Sequence, residues 1–565
     1  MARIFVLAGI LIFAGALATQ AANIIIVNLD GAGEGFNDPT PAAPVGGNPG
    51  VTIGQQRLNV FQEAADIWGA ILPSAVTVRV QAQFNALGCN ATSAVLGGAG
   101  PIAVASDFPG AEVTGTWYHV ALANKLAGFD LDPPGNDISA TFNSSIDNNN
   151  SCLSGINWYY GYDGNEGNDV ELLTVVLHEL AHGLGFGTLV TLSSGAEFLA
   201  TPDIYETFIR DNSSGLNWDN MSNPQRSASA VNTGNVVWDG PMVTSLSANY
   251  LLGTPIMTVN SPMTIPSPIA LGLANFGPSV TASGITGDVI LVDDGTGTTS
   301  DACEAIINGA QVAGKIALID RGICTFVSKA LAAQAVGAIA VVIVDNAVAA
   351  SPPGLGGTDP TVTIPVVSIT LANGNAIKAE LGSGVNVTLH LDPADLAGAD
   401  MSNRVQLYAP NPVQGGSSIA HWDATASPNL LMEPAINSDL SSSLDLTVAH
   451  FADIGWLDGP TGINDNPVAD SRLRGVKLLP NYPNPFNPRT AIRYSVSGTQ
   501  DIRLEIFDVQ GRLVRTLVNG VASPGTHETA WDGRDNRGAG VGSGVYFVRL
   551  AGAGEVTTRK IVLVK

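Results

Sequence analysis

The sequence predicts a multidomain protein: an α+β region first, an α/β segment after it, and an all-β module at the C-terminus. Three observations carry this. The chain has 565 residues, enough for three or four domains of about 150 residues each. Its texture turns to Val/Ile/Ala/Gly-rich β–α–β near residue 265 and returns to mixed loop and helix near 398. From Val476 onward, short strand-like runs alternate with turn residues.

Composition narrows the class. With 64 glycines, 33 prolines, 13% charged and 45% hydrophobic residues, the chain is too apolar for disorder and fits β-rich, loop-rich extracellular architecture. A net charge of −24 and the lack of a basic stripe exclude a nucleic-acid partner, since a polyanion would be repelled.

Met1–Ala21 reads as a secretory signal: Arg3 supplies the positive start, Ile4–Leu17 the apolar stretch and Thr19-Gln20-Ala21 a small-residue cleavage site. As a membrane anchor the run is too short, and no later stretch is long and apolar enough to span; Ala330–Ala350, the richest, is broken by Gln334, Asp345 and Asn346. Four cysteines in an exported chain point to two disulfides. Cys303 and Cys324 lie within one module, which leaves Cys89 for Cys152; the sequence keeps the other connectivities open.

After the signal, Ile24–Val27 reads as a short buried strand. Thr52-Ile53-Gly54-Gln55 has capping-box form and opens a helix with Leu58, Phe61, Ala65, Trp68 and Leu72 on one face. Val76 to Phe84 alternates as a half-buried strand, as does Ile138 to Phe142 ahead of the Asn/Ser-rich loop 143–151. Asn168-Asp169 can cap a strongly apolar helix over Val170–Leu184.

That helix carries the chemistry. His178-Glu179-Leu180-Ala181-His182 puts two imidazoles one turn apart on the same face, able to share one Zn²⁺, with Glu179 placed as general base and acid. A merely solvated helix is disfavoured by Leu173, Val176, Leu177, Leu180 and Leu184, because two His and a Glu in such surroundings need partners. Gly185 can end the helix in a left-handed turn, so a ligand from later on the same helix is not expected. Of the other histidines, His390 and His527 fall in other modules, His450 sits in an apolar helical run and His119 reads as a structural strand residue. His421 remains; Glu197 or Glu206 is the carboxylate alternative.

The segment 178–186 (HELAHGLGF) resembles the metzincin helix, with Thr188 standing where that family usually has its third histidine. Gly416-Ser417-Ser418-Ile419-Ala420-His421-Trp422, followed by Leu431-Met432-Glu433-Pro434, is similar to the leishmanolysin-like branch, which places an insertion before the third histidine. This resemblance implies an α+β catalytic domain, one catalytic Zn²⁺ held by His178, His182 and His421, Met432 in a Met-turn beneath the metal, and a closing helix within Leu446–Trp456. The sequence assigns no structural Ca²⁺ beside it. Metzincins bind peptide along a sheet edge, and Ile138–Phe142 is the expected edge strand. A cysteine-based latency switch is not expected, because all four cysteines can be paired.

More than two hundred residues separate His182 from His421, so a folded insertion must fill the gap. Cys303-Glu304, Gly314–Phe326, Lys329, Gly337-Ala338, Val341–Val344 and Ile364–Val367 resemble the protease-associated domain, a lid or substrate-selecting module in such families. The last ninety or so residues, opening on Leu479–Pro488 and running through Ile506-Phe507-Asp508, Gly511, Trp531-Asp532-Gly533 and Gly544–Phe547 to Lys560–Lys565, resemble the type A sorting domain of type IX secretion, an Ig-like sandwich. It implies contact with that machinery and a secreted or outer-surface location in a two-membrane bacterium. The expected layout is signal 1–21, catalytic part 22–264, insertion 265–397, second catalytic part 398–458, linker 459–475 and sorting domain 476–565. The expected function is zinc endopeptidase action on protein or peptide substrates; a catalytically idle surface-binding protein on the same scaffold is the alternative.

Overall fold

A computed structural model describes residues 21–133, 135–435, 442–457, 476–478, 486, 488–496, 500–508, 512–522, 525–552 and 555–563. The signal segment before Ala21, the linker 459–475, most of the run Leu479–Pro488, Gly511 and the last two residues lie outside them. No helix among the described residues is long and apolar enough to cross a membrane.

The first region is built on a four-stranded sheet in the order Ile24–Asn28, Val78–Asn85, Ile138–Asn143, Gly97–Pro101. The first three strands are parallel and the last is antiparallel. This corrects the expected edge: Ile138–Phe142 is central, and Gly97–Pro101 takes the edge. Buried alternation in 138–142 (Ile138, Ala140 and Phe142 at 0–1% exposure) marks a strand covered on one face, which says nothing about its flanks.

Helix Ile53–Ile71 packs on this sheet through Val60, Phe61, Ala64, Ala65 and Trp68. Leu58, expected on that face, is exposed, while Arg57 turns inward to Tyr160 and Asp147 over the Phe84 ring. Thr52 Oγ1 accepts from Gln55 N–H as expected, but Gln55 Oε1 takes the Val51 N–H, so the reciprocal half of the box is shifted by one residue.

The signature helix runs Leu172–Leu184, two residues shorter than expected. Val170–Glu171 pairs instead with Trp158–Tyr159, and Asp169 accepts from Asn157 N–H rather than capping. The helix is buried nearly all round and anchored by two indoles: Trp68 Nε1–H donates to the Leu177 carbonyl (3.1 Å) and Trp456 Nε1–H to Leu184 (2.7 Å). Asp445–Asp453 is the closing helix. Both parts of this region share one apolar core.

The insertion is an eight-stranded sheet with the parallel run Ile285–Leu291, Ile316–Asp320, Ala340–Val344, Val366–Ile369 at its heart. Helices Phe326–Ala335 and Leu371–Glu380 flank it, with a separate core on each face, as a parallel sheet requires. The sheet begins at Gly253, ahead of the expected 265, because Gly253–Ser261 pairs antiparallel with Asn386–Leu396. The C-terminal module is two antiparallel sheets, of three and four strands, around one core that includes Trp531, Leu504 and Ile561. Cys89 is bonded to Cys152 and Cys303 to Cys324.

Candidate metal centre

The signature helix and a remote loop bring three imidazoles together. His178 Nε2 lies 3.2 Å from His182 Nε2 and 3.1 Å from His421 Nε2. Zinc–nitrogen bonds of about 2.05 Å in tetrahedral array put ligand nitrogens about 3.3 Å apart, so the spacing fits one ion.

Proton placement decides what these nitrogens can do. Each Nδ1 faces a backbone carbonyl: His178 that of Leu431 (2.7 Å), His182 that of Phe186 (2.7 Å) and His421 that of Ser417 (2.8 Å). Carbonyls only accept, so each Nδ1 carries the hydrogen and each neutral ring turns a bare lone pair toward the other two. Burial, reinforced by the neighbouring rings, holds His178 down to about 3 and His421 well below its ordinary value; burial also lowers His182. Three converging lone pairs without a proton repel, and a cation among them removes the repulsion. Zinc meets this donor set, and the carbonyls are the outer hydrogen-bond shell that orients such ligands.

Local sequence explains each placement. Gly185 closes the helix at φ +133°, its N–H reaching the Ala181 and His182 carbonyls; a Cβ there would stand 2.7 Å from Ile454 Cδ1. The turn folds the Phe186 carbonyl back onto His182. Thr188 is tied down elsewhere, its hydroxyl donating to Asp203 (2.8 Å). His421 sits in a buried loop laced by Ile419 N–H to the Tyr408 carbonyl, Tyr408 N–H to the His421 carbonyl and Tyr205 Oη–H to the Ile419 carbonyl. Trp422 N–H donates to the Met432 carbonyl (2.8 Å), joining this loop to the turn whose Leu431 carbonyl holds His178. Met432 is fully buried.

Glu179 is buried beside edge strand Gly97–Pro101. Burial pushes its carboxyl up to about 8, opposed by the Ala99 N–H. The strand passes so close that a Cβ on Gly97 would lie 3.3 Å from Glu179 Cγ and 3.0 Å from the Phe142 ring.

The carboxylate alternatives are engaged elsewhere: Glu197 and Glu206 flank Arg226 at 2.8 and 3.3 Å, apart from the histidine cluster. His119 is buried in the short strand Tyr118–His119. His450 is fully buried with its ring 4.3 Å from both Phe186 and Trp238, and His390 Nε2 meets Thr258 Oγ1. His527 stacks on Tyr494 in the C-terminal module.

Sequence reasoning missed Asp445. Its half-buried carboxylate accepts the N–H of Leu431 on one oxygen, and the N–H (3.1 Å) and hydroxyl (3.0 Å) of Thr447 on the other. Its only signal is an acid in the first turn of a helix.

The chain is thus a multidomain protein in which a His-Glu-x-x-His helix and a distant histidine form one cluster. Comparison with known proteins identifies two of its modules: residues 285–377 match the PA domain and residues 489–555 the FlgD Ig-like domain. A probable lipoprotein aminopeptidase, LpqL of Mycobacterium tuberculosis, is 34% identical over 101 residues, 18% of this chain and 19% of that one. A zinc aminopeptidase from Bacillus subtilis aligns at 28% identity over 26% of this chain and 31% of its own, with a TM-score of 0.19. PorZ, a surface component of the type IX secretion system of Porphyromonas gingivalis, aligns at 24% identity over 18% of this chain and 13% of its own, with a TM-score of 0.13. The chain therefore spans about a fifth of that curated relative and about a third of the aminopeptidase structure, and TM-scores this low denote shared segments only.

Proposed function

We propose that this chain is a secreted zinc endopeptidase of leishmanolysin-like metzincin type, exported by type IX secretion through its C-terminal module. The observation that carries the reading is the approach of His178 Nε2 to the Nε2 atoms of His182 and His421, at 3.2 and 3.1 Å, with a carbonyl on each Nδ1.

Zinc, when bound, supplies a Lewis acid that lowers the pKa of a water and polarises the scissile carbonyl. His178, His182 and His421 hold it, and Met432 lies in the turn that supports His178. Glu179 takes the water's proton on its carboxylate and hands it to the nitrogen of the leaving amine. The substrate strand adds to the edge at Gly97–Pro101, which runs beside Glu179 and orients the peptide by backbone hydrogen bonds.

Casein digestion tests this reading. Wild type should release internal fragments, and Glu179→Gln should lose about 10²–10⁴-fold in rate while keeping one zinc per chain. Equal rates in the two proteins overturn the general-base role. No cleavage by zinc-loaded wild type favours the idle binding protein, and release of single N-terminal residues favours an aminopeptidase.

A further inference from the structure

A second group of ligand atoms lies in the inserted domain, in the loop between strands Ile285–Leu291 and Ile316–Asp320. One carboxylate oxygen each from Asp294, Asp301 and Glu304 lies within 4.8 Å of the others. Asp294 and Asp301 are buried, at 4% and 6% exposure, whereas Glu304 is open to solvent.

Of the nearby cations, Lys329 is drawn to all three carboxylates and offsets one of their charges. Lys315 pairs with Asp288, Arg321 with Asp345 and Lys378 with Asp320. The remaining one, Lys329, is fully buried and turns its ammonium to the Asp301 backbone carbonyl and the Cys303 sulfur. Three carboxylates therefore face one ammonium that hydrogen-bonds elsewhere, which leaves two negative charges over.

Asp294 supplies the independent sign of a ligand. Among the described residues its buried Oδ2 has no hydrogen-bond partner, and its Oδ1 receives only the long Thr296 N–H contact at 3.5 Å. A buried carboxylate oxygen without a partner is rare and costly unless a cation meets it.

We infer that Asp294, Asp301 and Glu304 form a divalent-cation site of hard oxygen ligands, and that its ion is Ca²⁺. Bonds of about 2.3–2.6 Å reach across a 4.8 Å group, and calcium tolerates irregular, partly solvent-completed shells, whereas magnesium demands a tight octahedron. Two net charges are balanced by one such ion. The site lies beyond the carboxyl end of a parallel strand, the usual side for ligands in α/β sheets. Because Cys303 is bonded to Cys324, an ion here would fasten the same loop a second time and stiffen the insertion. This inference is independent of the zinc reading.

Titration of CaCl₂ into calcium-depleted full-length protein, with zinc content measured in parallel, tests it. Wild type should bind one Ca²⁺ beyond its zinc and melt several degrees higher. Glu304→Gln, at an exposed position that leaves the fold intact, should weaken calcium binding at least tenfold; Asp294→Asn should abolish it. If Asp294→Asn does not fold, Glu304→Gln decides. The inference is overturned if millimolar Ca²⁺ neither binds nor shifts melting of wild type, if Glu304→Gln binds as wild type does, or if Mg²⁺ binds as tightly.

Discussion

Asp445→Asn separates metal affinity from stability. In the native fold, Asp445 serves two clients: one oxygen takes Leu431 N–H, the other Thr447. Asparagine keeps the shape but has one acceptor oxygen, so the Leu431 N–H or the Thr447 pair loses its partner, at a cost of about 1–3 kcal/mol. An opposite term accompanies it. Burial raises the Asp445 carboxyl from its ordinary 3.8 to about 6. The native state then holds this proton where the unfolded chain has released it, and stability drains away as pH climbs from about 4 through 6. At pH 7 the ionised form costs roughly 3 kcal/mol, which asparagine does not incur. The two terms nearly offset, so metal-free stability at pH 7 should change by less than about 2 kcal/mol.

Zinc affinity has no such offset. The Leu431 carbonyl fixes the His178 ring, and loss of an outer-shell support of this kind lowers metal affinity about 10–100-fold. Chelator competition on the metal-free protein measures the affinity, and urea denaturation the stability. An affinity within twofold of wild type would refute the positioning argument. A stability loss above about 4 kcal/mol would refute the charge argument instead.

Gly97→Ala places a methyl 3.3 Å from Glu179 Cγ; displacing the base should lower kcat by up to about a hundredfold with zinc content unchanged, and an unaltered kcat would show that Glu179 tolerates the shift. Above about pH 7.5, where unfolded-state histidines are mostly neutral, Glu179 and Glu206 still hold native-state protons, both raised to about 8, in each case chiefly by burial. Metal-free stability should therefore fall from about pH 7.5 to 8.5, by at most about 2.7 kcal/mol per pH unit for two groups. Glu206→Gln should halve that slope in urea melts at three pH values; a slope that rises with pH would contradict both assignments.

The sequence made His178, Glu179 and His182 legible because an i, i+4 pair in an apolar helix encodes geometry in spacing alone. His421 was reached by exclusion and resemblance. What spacing cannot encode is which strand lies at an edge. Gly97-Gly98-Ala99-Gly100-Pro101 has almost no side chain to pattern, so it reads as loop, yet its backbone completes the sheet and borders Glu179. Strand Gly253–Ser261 hid for a related reason, with Gly253 and Pro255 at its start. Asp445 was invisible because its partner, Leu431, is a backbone group fourteen residues earlier.

A histidine cluster split by more than two hundred residues would be a poor design if the chain between were loose, and the insertion shows why it is not. Closure entropy rises only slowly with loop length, but a flexible segment would still let His421 drift. Here the segment has two apolar cores of its own. Gly253 and Leu396 stand opposite each other in the antiparallel pair that begins and ends it. Ala397 N–H then donates to the Leu252 carbonyl at 2.9 Å, and Leu252 N–H to the Ser427 carbonyl at 2.7 Å, so the chain leaves and re-enters the first region at adjoining points. The cluster therefore meets the insertion as a short, fixed bridge between Leu252 and Ala397, and the position of His421 is set by its own region's core.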